Sequence, residues 1–161
     1  MLNEELKTTI TALLLSATFE EGAQVVAGSM ATEWPNINID SKDWLTFAQQ
    51  LRNNDSLFFN YLFCLTCIDW KAHLTMVYHL SSTRYRHNIV VKCKLDRNNP
   101  EIESVSKIWK TAEFHEREVY EMFGVNFLNH PDLRLLILPD GWEAKKPMLK
   151  DFEDAINMIK L

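Results

Sequence analysis

The sequence predicts an α+β fold: a single two-layer domain with a mostly antiparallel sheet covered by helices, then an extended, turn-rich C-terminal segment. Three apolar stretches between residues 62 and 95 have the length and composition of neighbouring strands. Stretches with helical spacing of apolar residues flank them on both sides. Beyond Gly124 the chain is rich in proline and turn signals. We therefore predict a domain at residues 1–128 and an extended segment at residues 129–161.

Composition and charge exclude several classes of function. The hydrophobic fraction of 47% in 161 residues suffices for one core. The net charge of −5 and the lack of a long basic run argue against binding of nucleic acid and against a polybasic membrane anchor. Three cysteines cannot all pair, no stretch is long enough to span a membrane, and Met1–Lys7 lacks the pattern of a signal peptide. We expect the protein to be kept in the cytoplasm or an equivalent reducing compartment.

Two helices and two short strands are predicted before the central strands. Apolar residues at helical spacing predict the first helix at Glu4–Ser16. Ser41 is placed to cap the second helix at Asp43–Arg52. The short strands are predicted at Gln24–Ala27 and around Ile37 and Ile39.

The sheet is predicted to be an antiparallel meander with one face covered by helices. Leu62–Ile68 is nearly all apolar, which predicts a buried central strand. Leu74–Leu80 and Ile89–Leu95 alternate apolar and polar residues, which predicts two strands with one face in the core.

The region after the sheet is predicted to be helical and then extended. A helical stretch is predicted at Ser104–Lys110, and Thr111 is placed to cap a second helix at Ala112–Phe123. Gly124 suits the position just after that helix, where a left-handed backbone ends it. Pro131 then forces His130 out of helical geometry, which predicts a fixed position for the polar residues that follow.

The helix at Ala112–Phe123 carries most of the notable polar residues. Glu113, Arg117 and Glu121 are spaced as a ladder of charges, which is typical of a solvent-exposed face. Glu116 instead falls in the middle of the apolar stripe. A buried Glu116 would need a partner, with Arg134 and His130 as the local candidates. The alternative is a helix at the edge of the fold, where Glu116 reaches water.

Neither the cysteines nor the histidines form a convincing catalytic or metal site. Cys64 and Cys67 form a C-x-x-C motif inside a strand, where residues three apart point to opposite faces, so buried core cysteines are favoured. His115 lacks a second histidine one turn later, and an ion pair with Glu118 in water is favoured over a shared metal. No nucleophile–base pair or phosphate-binding loop is evident, so we expect no catalytic, cofactor-binding or metal-ligating residue.

A family resemblance lies in the stretch that begins at Glu116-Arg117-Glu118. Further along the chain the residues that match are Glu121, Met122-Phe123, His130, Arg134 and Leu136, and the run from His130 to Arg134 is the most characteristic. Together these residues resemble the signature of the C subunit, also called the thirty-kilodalton subunit, of respiratory complex I, the proton-translocating NADH:quinone oxidoreductase. The resemblance extends over residues 40 to 152 and departs at Cys64, Leu135 and Leu149. The residues that it implies for an interface, called the interface motif below, are Glu116, Arg117, Glu118, Glu121, Gly124, His130, Pro131, Asp132, Arg134, Lys150 and Asp151.

The resemblance implies a non-catalytic subunit in the peripheral arm of the complex, on the cytoplasmic face of a bacterial cell membrane. It implies contacts with subunits B and D of complex I, and with its I subunit, in support of the quinone-reduction module. FMN, iron–sulfur clusters, NADH and a quinone would be used by the complex but bound by other chains. Two alternatives are the equivalent subunit of a membrane-bound hydrogenase-type complex and a stand-alone C-x-x-C redox or metal protein.

Overall fold

A computed structural model describes residues 3–13, 18–19 and 34–154 of the chain, which form the predicted α+β fold. The helices are α1 (Asn3–Leu13), α2 (Trp44–Asn53) and α3 (Ala112–Phe123). The strands are β1 (Thr18–Phe19), β2 (Asn36–Asp40), β3 (Tyr61–Asp69), β4 (His73–Ser81), β5 (Asn88–Asp96), β6 (Glu101–Glu103) and β7 (Asn126–Leu128). No helix among the described residues is long and apolar enough to cross a membrane.

The main sheet has the strand order β1-β2-β5-β4-β3. Its pairings are antiparallel except for β2 with β5, which run parallel. The meander of β3, β4 and β5 is therefore confirmed. The prediction of a central position for β3 is wrong, because β3 lies at the sheet edge, where α3 packs against it. Tyr61 and Ile68 at its two ends are partly exposed.

One face of the sheet carries the core. The predicted alternating residues of β4 and β5 are buried, with Met76, Tyr78 and Cys93 among them, while Val77 and Val90 on the other face are buried as well. Trp44 and Phe47 of α2 and Val119 of α3 belong to the same cluster. Burial of such large apolar side chains contributes about 1.5–3 kcal/mol each before entropy is counted. The core thus holds α2 and α3 on one face of the sheet.

Several local predictions are wrong. Residues 104–111 form turns rather than a helix, because Ser104 and Ser106 bond to each other and Ser104 to a carboxylate of α3. Ser41 does not cap α2, whose N-cap residue is Asp43. Thr111 does hold the predicted N-cap position of α3, but its hydroxyl donates to the carbonyl of Leu62 and not to the helix. The predicted strand at Gln24–Ala27 and the last residues of the first predicted helix lie outside the described residues.

A second, two-stranded sheet places the polar residues of interest. Strands β6 and β7 run parallel and pair Ile102 with Phe127, both of which are buried. Strand β7 follows α3 after the turn at Gly124, so the chain leaves the helix in the predicted extended form. Residues 129–154 then return over α3 and the end of β3 in turns and irregular backbone.

Candidate functional site

Glu116 is a fully buried carboxylate at the centre of the site. Its oxygens accept hydrogen bonds from the Ser104 hydroxyl at 2.6 Å and the Val105 amide at 2.8 Å. His130 Nε2 lies 3.7 Å from Oε2. Burial is therefore confirmed, as is the proximity of His130, and the alternative in which Glu116 reaches water is wrong. The Ser104 and Val105 donors were not foreseen.

Burial raises the pKa of Glu116 to about 7, and the nearby charge of Glu113 adds to the effect. The hydrogen bonds from Ser104 and Val105 favour the ionised form and offset part of this rise. The carboxyl group therefore changes its protonation near neutral pH, which an exposed glutamate does not do.

His130 connects Glu116 to the turn that follows β7. Its Nδ1 accepts the amide of Asp132 at 3.0 Å, so the proton of the neutral ring is on Nε2, which donates to the Glu113 carbonyl at 3.1 Å. Arg134 does not reach Glu116, and its proposed role as a partner is wrong. Its guanidinium is exposed and pairs with Asp132 at 2.8 Å.

Arg117 and Glu121 are buried, so the prediction of a solvent-exposed ladder is wrong. Arg117 donates to the carbonyls of Arg134 at 3.1 Å and Leu135 at 2.7 Å. The Glu121 carboxylate accepts hydrogen bonds of 2.8–3.2 Å from the backbone amides of the next three residues, Leu136, Ile137 and Leu138. Helical spacing predicts that Arg117 and Glu121 lie on one face of α3, but it does not predict that residues 134–138 cover this face. We call residues 134–138 the clamped segment.

Gly124 ends α3 in the predicted manner. Its φ of +83° is left-handed, and its amide donates to the Tyr120 carbonyl at 3.0 Å. A Cβ at this position would lie 3.1 Å from the side chain of Lys146, which itself donates to the Tyr120 carbonyl. The turn therefore depends on glycine for both backbone conformation and space. The side chain of Glu118, in contrast, is exposed.

The end of the C-terminal segment is anchored by a pair that sequence reasoning missed. Asp69, buried at the end of β3, forms a two-point ion pair with Arg97 at 3.0 Å for each bond. Arg97 also binds Asp151 at 2.6 Å, and Asp69 accepts the Lys150 amide at 2.9 Å. Arg97 holds the pKa of Asp69 well below its usual range. The signal in the sequence was an acid that closes an apolar strand, since buried acids need cations.

The Lys150 side chain does not join this ion pair. Its amine lies 5.7 Å from the centre of the exposed Trp70 ring. Asp151 is likewise largely exposed, with its carboxylate on Arg97. Of the two motif residues near the end of the chain, Asp151 therefore anchors the segment through its side chain and Lys150 through its backbone.

The C-x-x-C cysteines lie on opposite faces of β3, as their spacing predicts. Cys67 is buried in the core and burial raises the pKa of its thiol to about 12. Cys64 is only half buried, contrary to expectation, and faces the other side. All three cysteines are free. Within the described part of the chain, no group of three His, Cys, Asp or Glu side chains is arranged to hold a metal.

Comparisons with known proteins agree with the family resemblance. The combined C/D subunit of NADH-quinone oxidoreductase from Phocaeicola vulgatus is 45% identical over 104 residues, which are 63% of this chain and 20% of that protein. The C subunit of NADH-quinone oxidoreductase from Chloroherpeton thalassium is 36% identical over 118 residues, 72% of this chain and 48% of the relative. The C subunit of F(420)H(2) dehydrogenase from Methanosarcina mazei is 39% identical over 104 residues, 63% of this chain and 66% of the relative. The chain spans about half or less of the first two.

Two solved structures share the fold. A chain of the archaeal membrane-bound sulfane sulfur reductase superposes with a TM-score of 0.77 at 22% identity, over 93% of this chain and 85% of that one. A trypsin-resistant fragment of Nqo5 superposes with a TM-score of 0.63 at 21% identity, over 81% of this chain and 98% of that one. The family described as the respiratory-chain NADH dehydrogenase 30 Kd subunit matches residues 37–155, nearly the range of the sequence resemblance. This chain therefore belongs to the 30 Kd subunit family of respiratory-chain NADH dehydrogenases.

Proposed function

We propose that this chain is a non-catalytic, peripheral-arm subunit of a proton-translocating NADH:quinone oxidoreductase. In this role it supports the quinone-reduction module and its assembly. The observation that carries the proposal is the family match over residues 37–155, which includes α3, the clamped segment and the Asp69–Arg97 anchor. Several relatives that are named as C subunits of NADH-quinone oxidoreductase support it at 36–38% identity.

The proposed partners are subunits B and D, with the I subunit as a further neighbour. The relative with the combined C/D name supports a place beside the D subunit, since that name joins the two subunits. We propose that the interface motif and residues 129–161 face these partners. Arg117 and Glu121 bind the backbone of the described part of this segment, and Arg97 binds the Asp151 side chain near its end. A segment that is held in this way loses less conformational entropy when it binds a partner.

We propose that FMN, the iron–sulfur clusters, NADH and the quinone are bound by other subunits, and that the assembly lies on the cytoplasmic face of a cell membrane. The chemistry of the cysteines supports this assignment of the clusters. Burial raises the thiol pKa of Cys67 and of Cys93, whereas cluster ligands are thiolates.

A second candidate is the equivalent subunit of a related complex, including the membrane-bound hydrogenase type. The C subunit of F(420)H(2) dehydrogenase supports this second candidate, because its 39% identity to this chain equals or exceeds that of several C subunits of NADH-quinone oxidoreductase. The two candidates place the chain in the same kind of peripheral position and differ in the electron donor of the whole complex.

The proposal is tested by purifying the tagged full-length chain from mild-detergent extracts of the membranes of the organism that encodes it. We expect homologues of subunits B and D in the purified material, together with NADH:quinone reductase activity. A partner large subunit with nickel-ligand cysteines, or activity with another donor and none with NADH, would favour the second candidate. Purification of the chain without either of these homologues would refute both.

A further inference from the structure

The clamped segment displays aliphatic side chains to solvent although it lies on buried charges. Leu136 is 38% exposed and Ile137 is 62% exposed, while the amides of both residues are bound by Glu121. Two charged side chains on successive turns of α3, Arg117 and Glu121, are nearly or fully buried to hold five consecutive backbone groups. This arrangement fixes the backbone without covering its side chains.

The exposed surface continues from the clamped segment onto α3. Phe114 is 58% exposed, and its ring centre lies 5.7 Å from the guanidinium carbon of Arg117. The same guanidinium donates to the carbonyl of Leu135, so Arg117 joins the exposed ring to the clamped segment. Phe114, Leu136 and Ile137 form what we call the apolar patch. Arg117 links Phe114 to the segment that carries the two aliphatic residues, and exposed apolar groups gathered in this way mark sites of protein association.

We propose that the apolar patch is a contact surface for the D subunit, the partner that the combined C/D relative supports, and that this subunit receives Ile137 in an apolar pocket. This inference rests on the proposed function and adds to it the side chains that make the contact. None of the three belongs to the interface motif, whose Arg117 and Glu121 act here as positioning residues behind the surface.

The chemistry of the patch selects this occupant over others. The amides of residues 136–138 and the carbonyls of residues 134–135 are already bonded, so the segment is not open there to addition of a strand from another chain. The exposed cation beside it, Arg134, is paired with Asp132, which makes the surface a poor match for nucleic acid or anionic lipid. Exposed aliphatic and aromatic side chains on a hydrogen-bonded backbone, with a charged pair beside them, instead fit the apolar core and polar rim of a protein interface.

The test compares Ile137→Ser with Leu128→Ser in the tagged full-length chain, expressed in cells that carry the remaining subunits. Leu128 is a matched control because it is a 38% exposed aliphatic residue on β7, outside the patch. Ile137→Ser keeps the amide that Glu121 binds, so we expect its thermal unfolding to stay close to that of the unmodified chain. We expect it to capture at least about tenfold less of the D-subunit homologue, as for loss of a central interface side chain. Leu128→Ser and Ile137→Val should capture normal amounts.

The outcomes separate this inference from the proposed function. If the unmodified chain captures its partners and Ile137→Ser captures as much, the patch is not the contact and the inference is refuted while the function stands. Equal losses in Ile137→Ser and Leu128→Ser would refute it as well. If light scattering shows a dimer of the isolated chain that Ile137→Ser dissociates, the occupant is a second copy and the inference is wrong. Failure of the unmodified chain to capture any partner is instead a failure of the proposed function.

Discussion

At the scale of single residues, the site is governed by carboxylates whose partners come from distant parts of the chain. Glu116, Glu121 and Asp69 are all buried, but their donors differ in kind. Asp69 has a guanidinium partner, Glu121 has three amides, and Glu116 has one hydroxyl and one amide. A buried carboxylate remains ionised only when such donors replace the water that it lost. The pKa of Asp69 is accordingly lowered, whereas that of Glu116 is raised.

The raised pKa of Glu116 predicts that stability falls as the pH rises. Its pKa is about 7 in the folded state and near 4.5 when exposed, so between these values the folded state binds more protons than the unfolded state. The contribution is fully present below about pH 4.5 and is lost as the pH rises through 7, with an upper bound on the order of 3 kcal/mol. Glu116→Gln, which keeps the shape and an acceptor, should flatten this dependence.

Urea unfolding of the two proteins at pH 5, 6, 7 and 8 measures the difference between their stability curves. The titratable groups that interact with Glu116 include His130, Glu113 and the buried Tyr78. Glu113→Gln serves as the control and should leave most of the slope in place. Parallel curves for the unmodified chain and Glu116→Gln would contradict the prediction.

Position 124 requires glycine both for its left-handed backbone conformation and for the space beside Lys146. Gly141 shares only the first requirement, so a comparison of the two glycines separates the two effects. Gly124 and Gly141 share a left-handed φ near +85°, but only at Gly124 would a Cβ meet a neighbour, the Lys146 side chain. We expect Gly141→Ala to lower the free energy of unfolding by about 1 kcal/mol through backbone strain alone. Gly124→Ala should cost more, because the aliphatic part of Lys146 must also move. Thermal unfolding of both variants measures this, and equal losses would show that crowding by Lys146 contributes nothing.

At the scale of elements, α3 was predictable where its signals are local. The bounds Ala112–Phe123 follow from apolar spacing and from the glycine that ends the helix, and the structure agrees. The covered side of the helix was not predictable, because the clamped segment lies in a later part of the chain and has no periodicity of its own. The charges of Arg117 and Glu121 therefore resembled a solvent-exposed face. Strands β6 and β7 escaped prediction because three residues are too few to show alternation.

The clamp predicts a local pattern of amide protection. In Glu121→Gln the oxygen can still accept, but the amide nitrogen donates and faces further donors from the segment. We expect the amides of Leu136, Ile137 and Leu138 to exchange with solvent at least about tenfold faster, as loss of roughly 1.4 kcal/mol of local protection would produce. Hydrogen exchange followed by NMR or mass spectrometry provides the measurement. Glu118→Gln, at an exposed position of α3, should leave the exchange rates of these amides unchanged. If Glu121→Gln also exchanges at the rate of the unmodified chain, Glu121 does not hold the segment.

At the scale of the whole molecule, the α+β class, the meander and the core residues of β4 and β5 were predictable because alternation in strands is a strong signal. The edge position of β3 was not, since an apolar strand that is covered by α3 has the same composition as a central strand. The division at residue 128 stays a prediction. The described contacts do show that residues 129–154 supply partners for Glu116, Arg117, Glu121 and Asp69.

These contacts predict that a chain ending at residue 128 is less stable than one ending at residue 154. Loss of residues 129–154 removes the carbonyls that bind Arg117, the amides that bind Glu121 and the His130 ring beside Glu116. Removal of one side of a buried polar contact is among the costlier changes in proteins, although water relieves part of it once the segment is gone. We expect a loss of about 3 kcal/mol in the free energy of unfolding, measured by urea denaturation of both fragments. The chain ending at residue 154 keeps every described contact and is the control. Equal midpoints with equal denaturant dependence would show that residues 129–154 do not stabilise the domain, and would leave binding to other subunits as their role.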